Sequence, residues 1–279
     1  MRLEAVYFRG QFTERHAAMA NVLRLSATEN SPTTPLSITE ITEPDDELKA
    51  IGPGKLNAQW LDNARKAKHH NEIIQAAEDG EVLGMLDTDT MVLGDLSEIE
   101  SMDFDLAYTI RPPGSSKWKL NTGVYFVRVN GNVRRFVGRW YQAVLDMLAD
   151  PILHHHWKKT RGYGGIHQAA LGFLLESSYY MPVKLLQLPC ETWNCCSKLW
   201  DKTDNPKIVH IMGQMREWCL GGRPAPTEAE RRLVERWKAY DERSKSPNSM
   251  GIPENLVVDG NYNFASGKLD ADAWAKGIR

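Results

Sequence analysis

Two aspartates one residue apart close an apolar run, Val82-Leu83-Gly84-Met85-Leu86-Asp87-Thr88-Asp89, before the chain continues as Thr90-Met91-Val92-Leu93. Desolvating an unpaired carboxylate costs several kcal/mol, so two of them at one place need a counter-charge. A divalent cation supplies it, since Mg²⁺ and Mn²⁺ take hard oxygen ligands and commonly join one or two protein carboxylates to substrate phosphates. On the pattern Asp-x-Asp alone, two turn-capping residues account for the pair equally well. His210, read by itself, is more often a hydrogen-bonded structural residue than a ligand. A second Asp-x-Asp, Asp270-Ala271-Asp272, follows Gly-Lys-Leu and runs into Ala-Trp-Ala-Lys. It reads as a helix start with acids near the positive dipole end, and it is assigned no metal.

Elements must bring these side chains together. Residues 82–86 have the near-continuous apolar character of a strand covered on both faces, which puts Asp87 at the strand end. In open α/β sheets that end faces the ligand crevice. A first strand over residues 3–8 leads through a polar loop, 9–14, into a helix over 16–26. A Ser/Pro/Thr-rich connection, 31–35, precedes an alternating stretch, 36–41, and a polar helix over 57–77 then enters the aspartate strand. Residues 106–110 and 123–129 are strand-like, separated by a loop over 111–119 that carries Pro-Pro-Gly and two lysines. Val137, Trp140, Tyr141, Val144, Leu145 and Leu148 form the clearest helical stripe, and Ile166, Ala170, Phe173 and Leu174 mark another helix. The basic stretch 154–161 between them reads as a loop. After strands at 184–188 and 207–211, Thr227 and Glu230 form a capping box that opens a last helix. Alternating strands and helices imply an α/β fold with a largely parallel sheet.

Composition narrows the class without choosing a partner. The 279 residues are 42% hydrophobic and 25% charged, with 34 basic against 36 acidic side chains and a net charge of -2. That is an ordinary globular balance, neither disordered nor a nucleic-acid-binding composition. The opening MRLEAVYFRG is interrupted by charge before a signal-peptide core forms, and no apolar run approaches the ~20 residues of a membrane span. The reading is a soluble, cytoplasmic protein. Cys190, Cys195, Cys196 and Cys219 cluster but contain no C-x-x-C pair, so they read as buried thiols in preference to a zinc site.

Three stretches together resemble a known family. LGMLDTDTMVLGDLSEI, with Asp95-Leu96 completing the layout hhLDxDxxxxxDL, is similar to the DxD segment of nucleotide-sugar glycosyltransferases with the GT-A fold. It most resembles family eight, the glycogenin and bacterial lipopolysaccharide galactosyltransferase group. Asn121 to Arg128, NTGVYFVR, is similar to that family's "NtGvmfi" strand, and Val209 to Trp218, VHIMGQMREW, resembles its "HxxGxxKPW" motif. Three motifs in the right order are more specific than any one of them.

The resemblance implies a GT-A, Rossmann-like, mixed and mostly parallel sheet flanked by helices, with a C-terminal helical extension. It implies one domain over residues 1–243, with a nucleotide-binding half, 1–100, an acceptor-side half, 101–243, and an arm or tail over 244–279. Asp87, Asp89 and His210 would bind Mn²⁺ or Mg²⁺. Arg216 would grip the diphosphate, replacing the usual lysine with a planar fork. Tyr7 and Arg9 would hold the base and ribose, and Thr88, Thr122, Gly123 and Gly213 would meet the donor. Arg65 and Lys68 are candidates to meet the nucleotide or brace the aspartates, while most of the cluster Arg65, Lys66, Lys68, His69 and His70 reads as a solvated helix face. Gln168 and Asn121 are the implied catalytic-side residues, although His167-Gln168 stands where the family commonly has Asp-Gln.

The implied activity is transfer of a sugar from a nucleotide diphosphate donor, uridine-linked, to a hydroxyl acceptor with retention of configuration. The acceptor stays open among saccharide, lipid-linked glycan, protein and nucleic acid. The basic stretch 154–161, with Lys117 and Lys119, would form a cationic rim for an anionic acceptor. Two other readings compete: a sugar-nucleotide nucleotidyltransferase, which lacks its usual Gly-rich basic loop here, and a glycosyltransferase-like protein that binds without turnover.

Overall fold

Every strand of the main sheet grows from a short apolar run. The computed structural model describes residues 1–9, 13–42, 45–51, 58–115, 117–177, 182–221 and 224–245, and the strand residues 262–263 and 268–269. The chain opens with β1 (Arg2–Phe8), α1 (Thr13–Asn30), β2 (Leu36–Ile41), α2 (Asp46–Ile51), α3 (Ala58–Ala76), β3 (Val82–Asp87) and the short β4 (Thr90–Val92). It continues through β5 (Leu106–Ile110), β6 (Leu120–Arg128), α4 (Gly131–Ala149), α5 (Pro151–Lys159), α6 (Ile166–Glu176) and β7 (Leu185–Leu188). Then come α7 (Cys190–Trp193), β8 (Ile208–His210), α8 (Gln214–Cys219), α9 (Glu228–Ser244), β9 (Tyr262–Asn263) and β10 (Lys268–Leu269).

Six strands form one mixed, mostly parallel sheet in the order β2-β1-β3-β6-β5-β7. β1 runs parallel to β2 and β3, β5 runs parallel to β7, and β6 is antiparallel to both of its neighbours. Both faces are covered. Along β3, Leu83 and Met85 join a core built with α3, α4 and α6, while Val82 and Leu86 join the opposite core with Leu3, Phe104 and Phe126. Alternate side chains are thus apolar on both sides, which explains the continuous apolar run. The amphipathic stripe of α4 places Trp140, Val144 and Leu148 in the first core, and truncating a buried tryptophan of this kind costs about 3–5 kcal/mol.

A third core lies under α1 and α9 and includes Met19, Val22, Met215, Leu233 and Trp237. The capping box at Thr227 and Glu230 starts α9 as the sequence implies. Asn30 Nδ2 donates to Tyr240 Oη at 2.9 Å, tying α1 to this C-terminal helix. All four cysteines are free and buried. Among the described residues, no helix is long and apolar enough to cross a membrane.

Several local readings differ from the structure. The basic stretch 154–161 is mostly helix: Asp150 caps α5, its carboxylate accepting from the Ile152 and Leu153 amides, with Pro151 in the first turn. β6 begins at Leu120, so Asn121 lies within a strand and not before one. The short α2 has too few apolar residues to show a period. Of the segment 244–279, Ser244 ends α9, and β9 pairs antiparallel with β10. The second Asp-x-Asp, at Asp270 and Asp272, lies outside the described residues.

Candidate active site

The parallel register pairs Val6 with Asp87 and so sets Asp87 at the C-terminal end of β3, beside the end of β1. Thr90 Oγ1 donates to Asp87 O at 2.7 Å and closes the turn that carries Asp89. β4 then pairs antiparallel with β8, opposing Thr90 to His210, and the Ile211 amide donates to Asp89 O at 2.9 Å. This small ribbon brings the histidine to the aspartates. His210 Nε2 lies 3.0 Å from Asp89 Oδ1 and 3.8 Å from Asp87 Oδ2.

The ligand atoms of Asp87, Asp89 and His210 all lie within 4.8 Å of one another. Two carboxylates and one imidazole are a suitable donor set for a divalent cation such as Mn²⁺ or Mg²⁺. His210 Nδ1 is 3.1 Å from both Asn194 Oδ1 and Asn121 Nδ2. When Nδ1–H donates to Asn194, Nε2 keeps the lone pair and presents it to the aspartates. Gly123 permits this convergence. A Cβ there would lie 2.1 Å from His210 Cε1, 2.6 Å from His210 Nδ1 and 2.8 Å from Asp87 Oδ2. The residues present therefore fit a metal ion, by donor type and by the space that only glycine leaves.

Two protein cations meet the same carboxylates. Lys66, buried on α3, donates through Nζ to Asp87 Oδ1 at 2.5 Å, and the Arg216 guanidinium pairs with Asp89 Oδ2. Burial pushes the Asp89 carboxyl up, but His210 and Arg216 outweigh it through charge and hydrogen bonding and hold it well below the usual carboxylate range. Gly213 enables the Arg216 contact. At φ +63° and ψ -129°, it turns β8 into α8 in a conformation that suits glycine alone.

An open cleft of about 180 Å³ lies beside the cluster. Val6, Tyr7, Phe8, His16, Met19, Asp62, Asn63 and Lys66 line it together with Asp87, Thr88, Asp89 and Arg216. Tyr7 and Thr88 thus reach the cleft, as do both aspartates. Arg9 is exposed and pairs with Glu40 at 2.7 Å. Arg65 stacks on Phe8, 4.8 Å from the ring centroid, and lies 3.6 Å from Asp62. Lys68 turns to α2, pairing with Asp45 at 2.9 Å and Glu47 at 3.4 Å. The basic cluster is not a solvated face, since Arg65, Lys66 and His70 are buried.

Asn121 and Thr122 are buried on β6, where the Gly123 amide donates to Asn121 Oδ1 at 2.9 Å. Asn121 thereby contacts both His210 and the glycine that makes room for it. Gln168 sits in the first turns of α6 with Oε1 buried and accepting no hydrogen bond among the described residues. His167 faces inward and stacks on Trp140 at 4.3 Å and 7°. Burial pushes its imidazole well below the ordinary histidine value, so this residue is a neutral core element. Lys66 and Asn194 escaped the sequence reading. Lys66 lies in a five-residue basic cluster with no cue to its facing, of which the sequence singles out Arg65 and Lys68, and Asn194 is held at the site by the Cys195–Val209 bridge beside it and by hydrogen bonds to Thr109 and Asn121.

No protein-family model matches the chain, and no curated protein matches its sequence. Solved structures do match. The galactosyltransferase LgtC in complex with donor and acceptor sugar analogs aligns at TM-score 0.55 and 12% identity, over 91% of this chain and 98% of that one. A glycosyltransferase involved in the glycosylation of the major capsid of PBCV-1 aligns at TM-score 0.52 and 14% identity, over 85% and 98%. An active-site mutant of LgtC gives 0.54 and 12% over 91% and 98%. Identities this low speak to architecture, and the architecture is the GT-A fold of these glycosyltransferases.

Proposed function

We propose that the chain is a metal-dependent glycosyltransferase that moves a sugar from a nucleotide diphosphate donor, UDP, to a hydroxyl acceptor with retention of configuration. The observation that carries this reading is the convergence of Asp87, Asp89 and His210 at the C-terminal end of β3, in a cleft that also holds Arg216 and Lys66. Asp87, Asp89 and His210 would hold Mn²⁺ or Mg²⁺, which when bound supplies Lewis-acid stabilisation of a diphosphate leaving group.

The chain's own groups do the rest. As the bond from the anomeric carbon to the β-phosphate oxygen breaks, its electron pair leaves with the diphosphate. Arg216 offers a planar fork of donors to those oxygens, and Lys66 adds a second positive charge at the cleft floor. Tyr7 and Phe8 on β1 supply an aromatic wall for the base, while Asn63 and Asp62 on α3 supply polar groups for base or ribose. Gly123 lets the donor sugar approach the backbone closely. Asn121 is a positioning residue, orienting His210. The incoming acceptor oxygen forms the new bond to the anomeric carbon and passes its proton to the departing diphosphate oxygen, and Gln168 is the residue assigned nearest to it. Residues 1–100 then form the nucleotide half and 101–243 the acceptor half of one domain.

Incubating the protein with a panel of sugar nucleotides, and separately with sugar phosphates and nucleoside triphosphates, and identifying the small product, tests the reaction class. A nucleoside diphosphate from one donor is the expected result. Pyrophosphate from a sugar phosphate and a nucleoside triphosphate would replace this reading with nucleotidyl transfer. Nucleotide binding without any product would reduce the protein to a binding function.

A further inference from the structure

The connection between β5 and β6 carries Lys117-Trp118-Lys119, and it lies against the turn that joins α5 to α6. The Lys119 amide donates to Gly162 O at 2.9 Å. Gly164 has no room for a side chain, since a Cβ there would lie 2.6 Å from Gln168 Oε1 and 3.3 Å from Trp118 Cγ. The indole therefore abuts the start of α6 beside Gln168. Gly165, next along, faces Asn63 of the cleft, with a Cβ position 3.5 Å from its Oδ1. This glycine turn thus touches Trp118 on one side and Asn63, which lines the cleft, on the other.

Charge gathers on the same indole. Lys117 Nζ lies 4.8 Å and Lys158 Nζ 6.0 Å from its ring centroid. The acid of this region, Glu176, pairs with Arg161 and lies 3.8 Å from Lys119, whereas neither Lys117 nor Lys158 has a carboxylate at ion-pair distance among the described residues. An ammonium resting on an aromatic face within reach of water is held weakly, so both remain available to an anion. Gln168 Oε1 accepts no hydrogen bond among the described residues and is shut off from solvent, so it underlies the patch without facing a ligand.

We propose that this patch is the acceptor subsite and that it selects an anionic saccharide. The sugar ring packs on Trp118, and a phosphate or carboxylate substituent is held by Lys117 and Lys158. The assignment as an acceptor subsite rests on the glycosyl-transfer reading of the adjoining cleft, whereas the preference for an anionic sugar is tested without it.

The test is binding by calorimetry and saturation-transfer NMR with three sugar probes, methyl glucoside, glucose 6-phosphate and glucuronate, and with inorganic phosphate, UDP and a single-stranded oligonucleotide alongside. Each is measured on the wild type, on the double variant Lys117→Ala/Lys158→Ala, and on Trp118→Ala. Both anionic sugars should bind about tenfold or more tightly than methyl glucoside, as expected for a charge-assisted hydrogen bond, and the double variant should remove that preference. Trp118→Ala should weaken the anionic sugars while leaving inorganic phosphate binding unchanged. UDP binding should be equal in all three proteins, which reports an intact fold. Equal affinity for neutral and anionic sugars, or anionic binding that survives the double variant, overturns the proposal. So does a single-stranded oligonucleotide that binds more tightly than any sugar and is lost in the same variant, because the patch would then serve nucleic acid. Selective anionic-sugar binding in a protein that releases no nucleoside diphosphate from any donor overturns the transfer reading alone.

Discussion

Alanine at Gly123 should damage metal binding by a purely steric route. The backbone at this position has no left-handed φ, so only the added methyl matters. That methyl would sit 2.1 Å from His210 Cε1 and 2.8 Å from Asp87 Oδ2, well inside van der Waals contact. His210 is 4% exposed and is pinned between Asn121, Asn194 and Asp89, so it has little room to retreat. Either the imidazole leaves Asp89 or the Asp87 carboxylate swings toward solvent. Overpacking of this kind costs about 1–3 kcal/mol of stability. A misplaced ligand or ligand-orienting group lowers metal affinity about 10–100-fold. Gly84→Ala is the matched control: its methyl would meet Leu3 Cδ2 at 2.6 Å and Phe126 Cε1 at 2.9 Å, an overlap in the apolar sheet face remote from the cluster. Urea midpoints and Mn²⁺ calorimetry on both variants should show similar stability losses but weakened Mn²⁺ binding for Gly123→Ala only. Wild-type Mn²⁺ affinity in Gly123→Ala would refute the reasoning, as would an equal loss in Gly84→Ala.

Replacing Lys66 with methionine leaves the Asp87 carboxylate without its ammonium, so stability in EDTA should fall by about 1–3 kcal/mol, read as a lower thermal midpoint that Mn²⁺ restores. An equal fall with and without Mn²⁺ would show that Lys66 acts only by packing. Burial pushes His154 from the ordinary 6.5 down to about 4, and it pushes His70 and His167 lower as well. Between those two values the unfolded chain binds more protons than the folded one, so stability should fall as pH drops from 6.5 to 4, by about 3 kcal/mol for His154 alone. Urea midpoints across this range should therefore slope, and His154→Gln should flatten the slope, whereas identical curves for the two proteins would contradict the burial account. Thr227→Ala removes the capping hydroxyl of α9 and should cost about 1 kcal/mol by urea denaturation, with Mn²⁺ affinity unchanged.

How far the sequence led depended on whether a feature was local. β3 was legible because alternate residues feed two apolar cores, and the strand end follows directly from where the acids begin. The α4 stripe and the α9 capping box were legible for the same reason, since each repeats or closes within one helix turn or two. His210 was different. Its meeting with Asp89, 121 residues away, depends on the β4–β8 ribbon, a pairing that no periodicity announces, and only the resemblance of a short motif pointed to it. On α3, five basic residues within six positions offer no clue to facing, so the sequence points to Arg65 and Lys68 while Lys66 holds Asp87. α5 hides behind its histidines and lysines, although Asp150-Pro151 was a readable helix start. The register shift between Tyr108 and Thr109 accompanies pairing of Thr109 with Asn121, which is why β6 starts before its apolar run does.

Nucleoside diphosphate release from sugar nucleotides, measured in Mn²⁺ and again in EDTA for the wild type and Asp89→Asn, tests the central claim most directly. Asparagine keeps the shape of the side chain while removing the charge that His210 and Arg216 share. The wild type should release nucleoside diphosphate in Mn²⁺, EDTA should abolish that release, and Asp89→Asn should lack it. Release of equal rate in EDTA, or undiminished release by Asp89→Asn in Mn²⁺, would contradict a metal centre built on Asp87, Asp89 and His210.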